Sequence, residues 1–345
     1  MTRPAPRSEE ELDENLSAPR DATIAALTRA PGDIIILGAG GKMGPTLARM
    51  AVRAAARADG ASARRVIAVS RFSSPAAEKA LQAVGVETLR CDLLDRDAVA
   101  RLPDVPNVIY MAGQKFGTSD APSRTWMQNV VVPAICAERY PAARTVAFST
   151  GNVYPLSAPS AGGSRESDAV GPVGEYAASC VGRERVFEYY SATAGTKVVI
   201  VRLNYAIDLR YGVLVDIASR IMTGAAIPLA MGHVNVIWQR DANRVALELL
   251  PHASSPPLVV NVTGGEVIPV RAVARELARR MKRDATFEGS EAPTALLSDA
   301  SRMRSLVGAP EMPLGTLLDW VADWVGAGRP LLGKPTGFEK RDGTF

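Results

Sequence analysis

The chain has 345 residues, 47% hydrophobic, 22% charged and 6% aromatic, with 29 Gly and 24 Pro. Such a composition excludes disordered, collagenous and disulfide-stapled classes, and the length suits two domains or one large α/β unit with a smaller lobe. Forty basic against 36 acidic residues leave a net charge of +4, too small an excess to point to nucleic acid as a partner. The two histidines, His233 and His252, leave zinc sites and His-centred triads short of members, so no metal is expected. Cys91, Cys136 and Cys180 form no CxxC pair, which argues for a reducing compartment and a cytoplasmic location. No apolar run reaches the roughly 18 residues that span a bilayer, and MTRPAPRSEEELDENL lacks the apolar core of a secretory signal, so no membrane partner is expected.

Residues 1–31 read as an N-terminal helical extension on the surface, without chemistry, its start marked by the S-x-x-E spacing of Ser8 and Glu11. Seven candidate strands follow: DIIILG (33–38), RVIAVS (65–70), VETLR (86–90), NVIYMA (107–112), RTVAFST (144–150), KVVIVRL (197–203) and PLVVNVT (257–263). Their continuous apolar runs suit strands buried on both faces, and the stretches between them suit helical crossovers. The fold class is therefore α/β, a Rossmann doubly wound parallel sheet with a smaller C-terminal substrate lobe. Residues 32–204 would form the dinucleotide-binding domain and 205–330 the interleaved substrate lobe, with the last sheet strand near 257–263. Residues 331–345 read as an irregular, only partly ordered tail.

The first strand runs into Gly38-Ala39-Gly40-Gly41-Lys42-Met43-Gly44 and then into a helical pattern. Glycine at 38 allows a tight turn, Gly41 admits a pyrophosphate to the backbone N–H groups, and Gly44 lets the helix pack on the strand; the helix N-terminus adds partial positive charge. A nicotinamide dinucleotide is the expected cofactor, with Gly40, Lys42 and Met43 completing the loop around it. The second strand ends Ser70-Arg71, which suits a 2′-phosphate better than a ribose diol, so NADP is preferred over NAD. Asp92 and Leu93, after the third strand, sit where an adenine contact is expected; a helix cap is the alternative for Asp92.

Several segments in order resemble the extended, NAD-dependent epimerase/dehydratase branch of the short-chain dehydrogenase/reductase family over about residues 33–327. NVIYMAGQK resembles the strand and loop lining the nicotinamide side, placing Ala112, Gly113 and Lys115 at the cofactor. Asn129 before VVVP resembles a helix-buried asparagine, FSTGNVY the active-site strand end, and RLNYAID the arginine-x-x-asparagine segment. NVIWQRDANRVA and NVTGGEVIPVRAVA are similar to segments of the second lobe. The resemblance implies redox, epimerase or dehydratase chemistry at a hydroxyl or ketone carbon of a sugar, sugar acid or similar small substrate. It also implies a homodimer through the 120s helix and the Tyr176 helix.

Such chemistry moves a proton through a tyrosine, whose pKa of about 10 falls only beside positive charge. The resemblance puts Tyr176 in that role, but Cys180 stands where the family has lysine. A neutral thiol adds no charge, and a thiolate would raise the tyrosine pKa. Three readings stay open: Lys115 or the nicotinium ring supplies the charge; Arg183, seven residues beyond Tyr176, contributes; or the protein is an attenuated NADP-binding sensor or regulator. The favoured catalytic set is Tyr176, Thr150 and Lys115, with Tyr176 and Asn129 also at the cofactor. Thr150, Asn152, Asn204 and Arg240 are the candidate substrate contacts. His233, Asn235 and Trp238 are read as mainly structural.

Overall fold

The computed structural model describes residues 4–59, 64–334 and 336–344. Each apolar run read from the sequence is a strand: β1 Ile34–Leu37, β2 Val66–Ser70, β3 Glu87–Arg90, β4 Asn107–Tyr110, β5 Arg144–Thr150, β6 Lys197–Leu203 and β7 Leu258–Val262. They form one parallel sheet in the order β7-β6-β5-β4-β1-β2-β3. β1 pairs with both β2 and β4, Leu37 lying opposite Val69 and Tyr110. The strand order therefore reverses at β1 and β4, and their carboxyl ends part to leave the crevice in which open α/β sheets bind ligands. All four residues of β1 are fully buried, as a strand covered by helices on both faces must be.

Helix α1 (Glu9–Leu16) begins where the spacing places it: the Ser8 hydroxyl accepts the Glu11 N–H at 3.2 Å. It is not a surface appendage. Leu12 and Leu16 are fully buried in an apolar cluster shared with α9 (Val213–Thr223), α11 (Val270–Met281) and α13 (Leu314–Gly326). Asn15 accepts the Trp238 indole N–H at 3.2 Å. Helix α2 (Asp21–Arg29) is held through Arg20, which donates to both carboxylate oxygens of Glu248 at 2.8 and 2.6 Å. The eight-residue α1 alternates in burial so strongly, with the apolar Leu12 and Leu16 four apart, that docking through one stripe is the consequence.

The tail likewise departs from the sequence reading. Thr336 and Phe338 are only 2% exposed, Phe338 packs into the α1/α9/α13 cluster, and Asp216 accepts both the Thr336 N–H and hydroxyl at 2.7 and 2.5 Å. The tail is irregular, as expected, but one phenylalanine in a pocket and one carboxylate anchor its described residues. Among the described residues, no helix is long and apolar enough to cross a membrane.

Candidate active site

At the crevice lies a cavity of about 940 Å³. Its floor is the glycine loop. A Cβ at Gly38, whose φ is +91°, would lie 2.5 Å from the Ala112 N, and one at Gly44 would lie 2.2 Å from the Ala39 carbonyl oxygen. A Cβ at Gly40 would meet the Ser70 hydroxyl at 2.3 Å, whereas at Gly41 the nearest atom is 3.6 Å away. The loop is thus packed tightly from behind and open toward the cavity, at the N-terminus of α3 (Gly44–Asp59), where N–H groups and helix dipole favour an anion. These features fit a dinucleotide pyrophosphate.

Of the candidate residues, Gly38, Gly40, Gly41, Lys42, Met43, Gly113, Lys115, Thr150, Asn152, Tyr176 and Asn204 line this one cavity. Strands β1, β4, β5 and β6 and helix α8 (Gly174–Ala194) deliver them from five regions of sequence. Ala112 and Gly44 stand behind the loop, and Ser70 beside Gly40. Arg71 is exposed, with no hydrogen-bond or ion-pair partner among the described residues. Leu93 is buried; Asp92 is exposed and accepts the Leu94 N–H at 3.1 Å, the turn-capping role that competed with an adenine contact.

Two candidates do not line the cavity. Asn129 is fully buried away from the cavity, in a π-helical turn, Met127–Val131. It accepts the Gln114 N–H and an Arg183 N–H at 2.8 Å each, and donates to the Gln114 carbonyl and Ser179 hydroxyl at 2.9 Å each. All its amide capacity being spent on protein, it fixes the loop that carries Lys115 rather than touching a cofactor. Arg240 lies outside the cavity, donating to the Ala18 carbonyl at 2.9 Å and Glu311 at 3.1 Å; its work is to hold the N-terminal helices. Asn204 does line the cavity, but its amide donates to Asn235 and the Leu296 carbonyl.

At the reactive end, Thr150 closes β5. Its hydroxyl donates to Asn152 Oδ1 at 3.0 Å and accepts the Asn152 N–H at 3.2 Å, and it lines the cavity together with Tyr176. Burial pushes the Tyr176 phenol above its ordinary value, as does a charge on Cys180, while Thr150 and Arg183 work in the opposite direction. Lys115 donates from Nζ to the Thr336 carbonyl at 3.2 Å and is pushed down to about 8 by burial. Lys42 donates to the Ala206 carbonyl at 3.0 Å, sits 3.8 Å above the Tyr211 ring centre, and is also brought down to about 8 by burial. Behind the site, Glu184 accepts from Ser149 at 2.5 Å and pairs with Arg202 through 3.0 and 2.7 Å bonds; Arg202 also donates to the Tyr154 hydroxyl at 2.7 Å. This buried network ties β5, β6 and α8 into a rigid frame.

Sequence reading missed the opposite wall: Asp13, Arg49, Tyr205, Arg210, Tyr211, Lys334 and Thr336. Asp13 accepts from Arg210 at 2.9 Å. Tyr205, immediately after Asn204, holds φ at +43°, a strained conformation for a side chain of that size. No local pattern marks any of these. Among the described residues the lining carries Lys42, Arg49, Lys115, Arg183, Arg210 and Lys334 and the carboxylate Asp13; Arg49 pairs with Glu14 and Arg210 with Asp13 and Asp208, and the remaining cations favour an anionic ligand.

A family model, NAD dependent epimerase/dehydratase family, matches residues 34–207. No curated protein matches the sequence. Among solved structures, the UDP-glucuronic acid 4-epimerase of Bacillus cereus in complex with NAD is similar, with TM-score 0.72 and 18% identity over 86% of this chain and 99% of that one. The UDP-Glc/GlcNAc 4-epimerase of Campylobacter jejuni gives 0.69 and 21% over 85% and 99%. The UDP-glucose 4-epimerase of Thermotoga maritima, with UDP-glucose, gives 0.68 and 16% over 86% and 99%. At such identities the likeness is one of fold.

Proposed function

The chain belongs to the NAD dependent epimerase/dehydratase family, and from that premise we propose that it is an enzyme acting at a hydroxyl or ketone carbon of an anionic sugar, a nucleotide sugar or sugar acid. The observation carrying this reading is the placement of Tyr176 and Thr150 together in the wall of the cavity floored by the glycine loop. When bound, the nicotinamide dinucleotide supplies a hydride acceptor or donor. Gly38, Gly40, Gly41, Lys42 and Met43 hold it. Thr150 orients the reacting substrate oxygen, and Tyr176 exchanges a proton with that oxygen: the phenol O–H breaks as the substrate O–H forms, or the reverse. Lys115 and Asn152 contact substrate or the nicotinamide side, and residues 205–330 with α1 and the tail form the substrate lobe.

NADP is proposed as the preferred dinucleotide, on the support of Ser70-Arg71 at the end of β2; the similar B. cereus structure holds NAD. A homodimer and a cytoplasmic location complete the reading. Exposed Trp126, Met127 and Tyr189 support the dimer, since they lie on the 120s helical segment and α8 and would be covered by a second copy. The sensor reading retains one supporting observation: Lys115 is already engaged by the Thr336 carbonyl, beside a neutral Cys180. Single-turnover mixing with NAD and with NADP, against a panel of nucleotide sugars and sugar acids, separates the two. A change in reduced-nicotinamide absorbance with at least one sugar is expected. Tight dinucleotide binding with no change for any sugar would overturn the enzyme reading.

A further inference from the structure

Tyr176 needs a nearby cation to give up its proton, and Cys180, one turn along α8, is fully buried and neutral. One further turn on, Arg183 turns back into the same wall. It is 6% exposed and lines the cavity. Nη1 donates to the Phe148 carbonyl at 2.9 Å and Nη2 to Asn129 at 2.8 Å, with the guanidinium 5.8 Å from the Tyr110 ring centre. Its Nε is buried without a hydrogen-bond partner. A Cβ on Gly113 would lie 2.4 Å from Nη2, so the guanidinium reaches the loop that carries Lys115. No carboxylate pairs with Arg183 among the described residues; the neighbouring Glu184 is spent on Arg202. A buried cation without a counter-ion is costly. An anion formed at Tyr176, which is on the same helix and lines the same cavity, would repay that cost.

We propose that Arg183 is the positioning cation of this site, stabilising the Tyr176 phenolate from one turn beyond the position Cys180 occupies. This rests on Tyr176 being the proton carrier. The groups that act on that phenol are Cys180 and Arg183 from α8 and Thr150 from β5; Ser149 from β5 and Lys115 from the loop after β4 line the same cavity, while Tyr110 from β4 and Glu184 from α8 act on Arg183. Of these, Arg183 and Lys115 are the cations. Arg183 acts on both Tyr176 and Cys180, and Lys115 on Cys180.

The test reads Tyr176 directly. A fluorinated tyrosine, more acidic than tyrosine and therefore titratable in an accessible range, is placed at 176 and followed by ¹⁹F NMR against pH. Arg183→Gln keeps hydrogen-bonding capacity and removes the charge; its titration midpoint is expected at least one unit higher than in the parent protein, and Arg183→Lys within half a unit. The pH profile of kcat should move in the same direction. An unchanged midpoint in folded Arg183→Gln, or a one-unit rise in Lys115→Met but not in Arg183→Gln, overturns the proposal. Cys180→Lys with Arg183 intact provides an independent arm: a shift under half a unit supports an already sufficient cation, and a drop of one unit or more contradicts it. Failure of the enzyme reading shows otherwise, as absence of turnover by the parent protein while the NMR midpoints remain readable.

Discussion

The two walls of the cavity are built in opposite ways. The dinucleotide wall comes from one continuous strand-loop-helix unit whose glycines are dictated by close approach, Gly44 to Ala39 nearby and Gly38 and Gly40 to Ala112 and Ser70 on the neighbouring strand ends. The substrate wall is assembled from α1, the segment after β6 and the tail, joined by contacts such as Arg210 to Asp13 and Lys115 to Thr336, 197 and 221 residues apart. The first wall is rigid by close packing around its glycines; the second depends on a few long-range polar bonds. Mutations should therefore act sharply and locally on one wall and diffusely on the other.

The largest effect is expected at the first wall. Gly44→Val drives a side chain into the Ala39 carbonyl, an overpacking that costs about 1–3 kcal/mol of stability. It should abolish dinucleotide binding measured by calorimetry; affinity within threefold of the parent would remove the loop from the cradle. Next, Tyr176→Phe should lower kcat by about 10²–10⁴, the usual contribution of a positioned acid/base, with dinucleotide affinity changed less than threefold. On the second wall, Asp216→Ala releases the tail by deleting the acceptor of both Thr336 bonds. Hydrogen bonds to a charged group contribute about 1.5–3 kcal/mol, so KM for the sugar should rise roughly ten- to a hundredfold, again with dinucleotide affinity nearly unchanged. Equal loss of both affinities would erase the contrast between the walls.

The smallest effect is a pH dependence. Lys42 and Lys115 are both brought to about 8 by burial, so they lose charge as pH rises through 8, and affinity for anionic ligands should fall, by less than tenfold, between pH 7 and 9. Lys42→Met should flatten this for the dinucleotide and Lys115→Met for the sugar. Folding responds with the other sign. Between about 8 and the ordinary lysine value of 10.5 the unfolded chain binds more protons than the folded one, so stability rises with pH across that window. Thermal denaturation of the two variants against pH checks it, with a weaker rise expected in each.

This contrast also explains what was legible in the sequence. All seven strands of the sheet were readable because Val/Ile runs buried on both faces leave a local signature, and the glycine loop because tight turns admit few residues. Thr150 and Tyr176 were found through resemblance and line one cavity. Asn129 was placed at the cofactor, yet nothing local distinguishes an amide that touches a ligand from one that braces the loop beneath it. Arg240 is similar, its partners Ala18 and Glu311 lying far away in sequence. Asp13 and Thr336 were invisible because their roles exist only once distant segments meet.

The anchoring of Thr336 and Phe338 has a consequence for how the protein is made. Contacts of such long separation close late and slowly, since loop entropy is lost before any bond is gained, and the chain emerges from the ribosome N-terminus first. The glycine loop and β1–β4 can assemble while synthesis continues, so the nascent protein holds its dinucleotide cradle before the substrate wall exists. During that interval Lys115 and Asp216 lack their tail partners, and the apolar pocket of Phe338 stands open. A dinucleotide bound early would stabilise the finished half by mass action, making the cofactor an aid to folding as well as to chemistry.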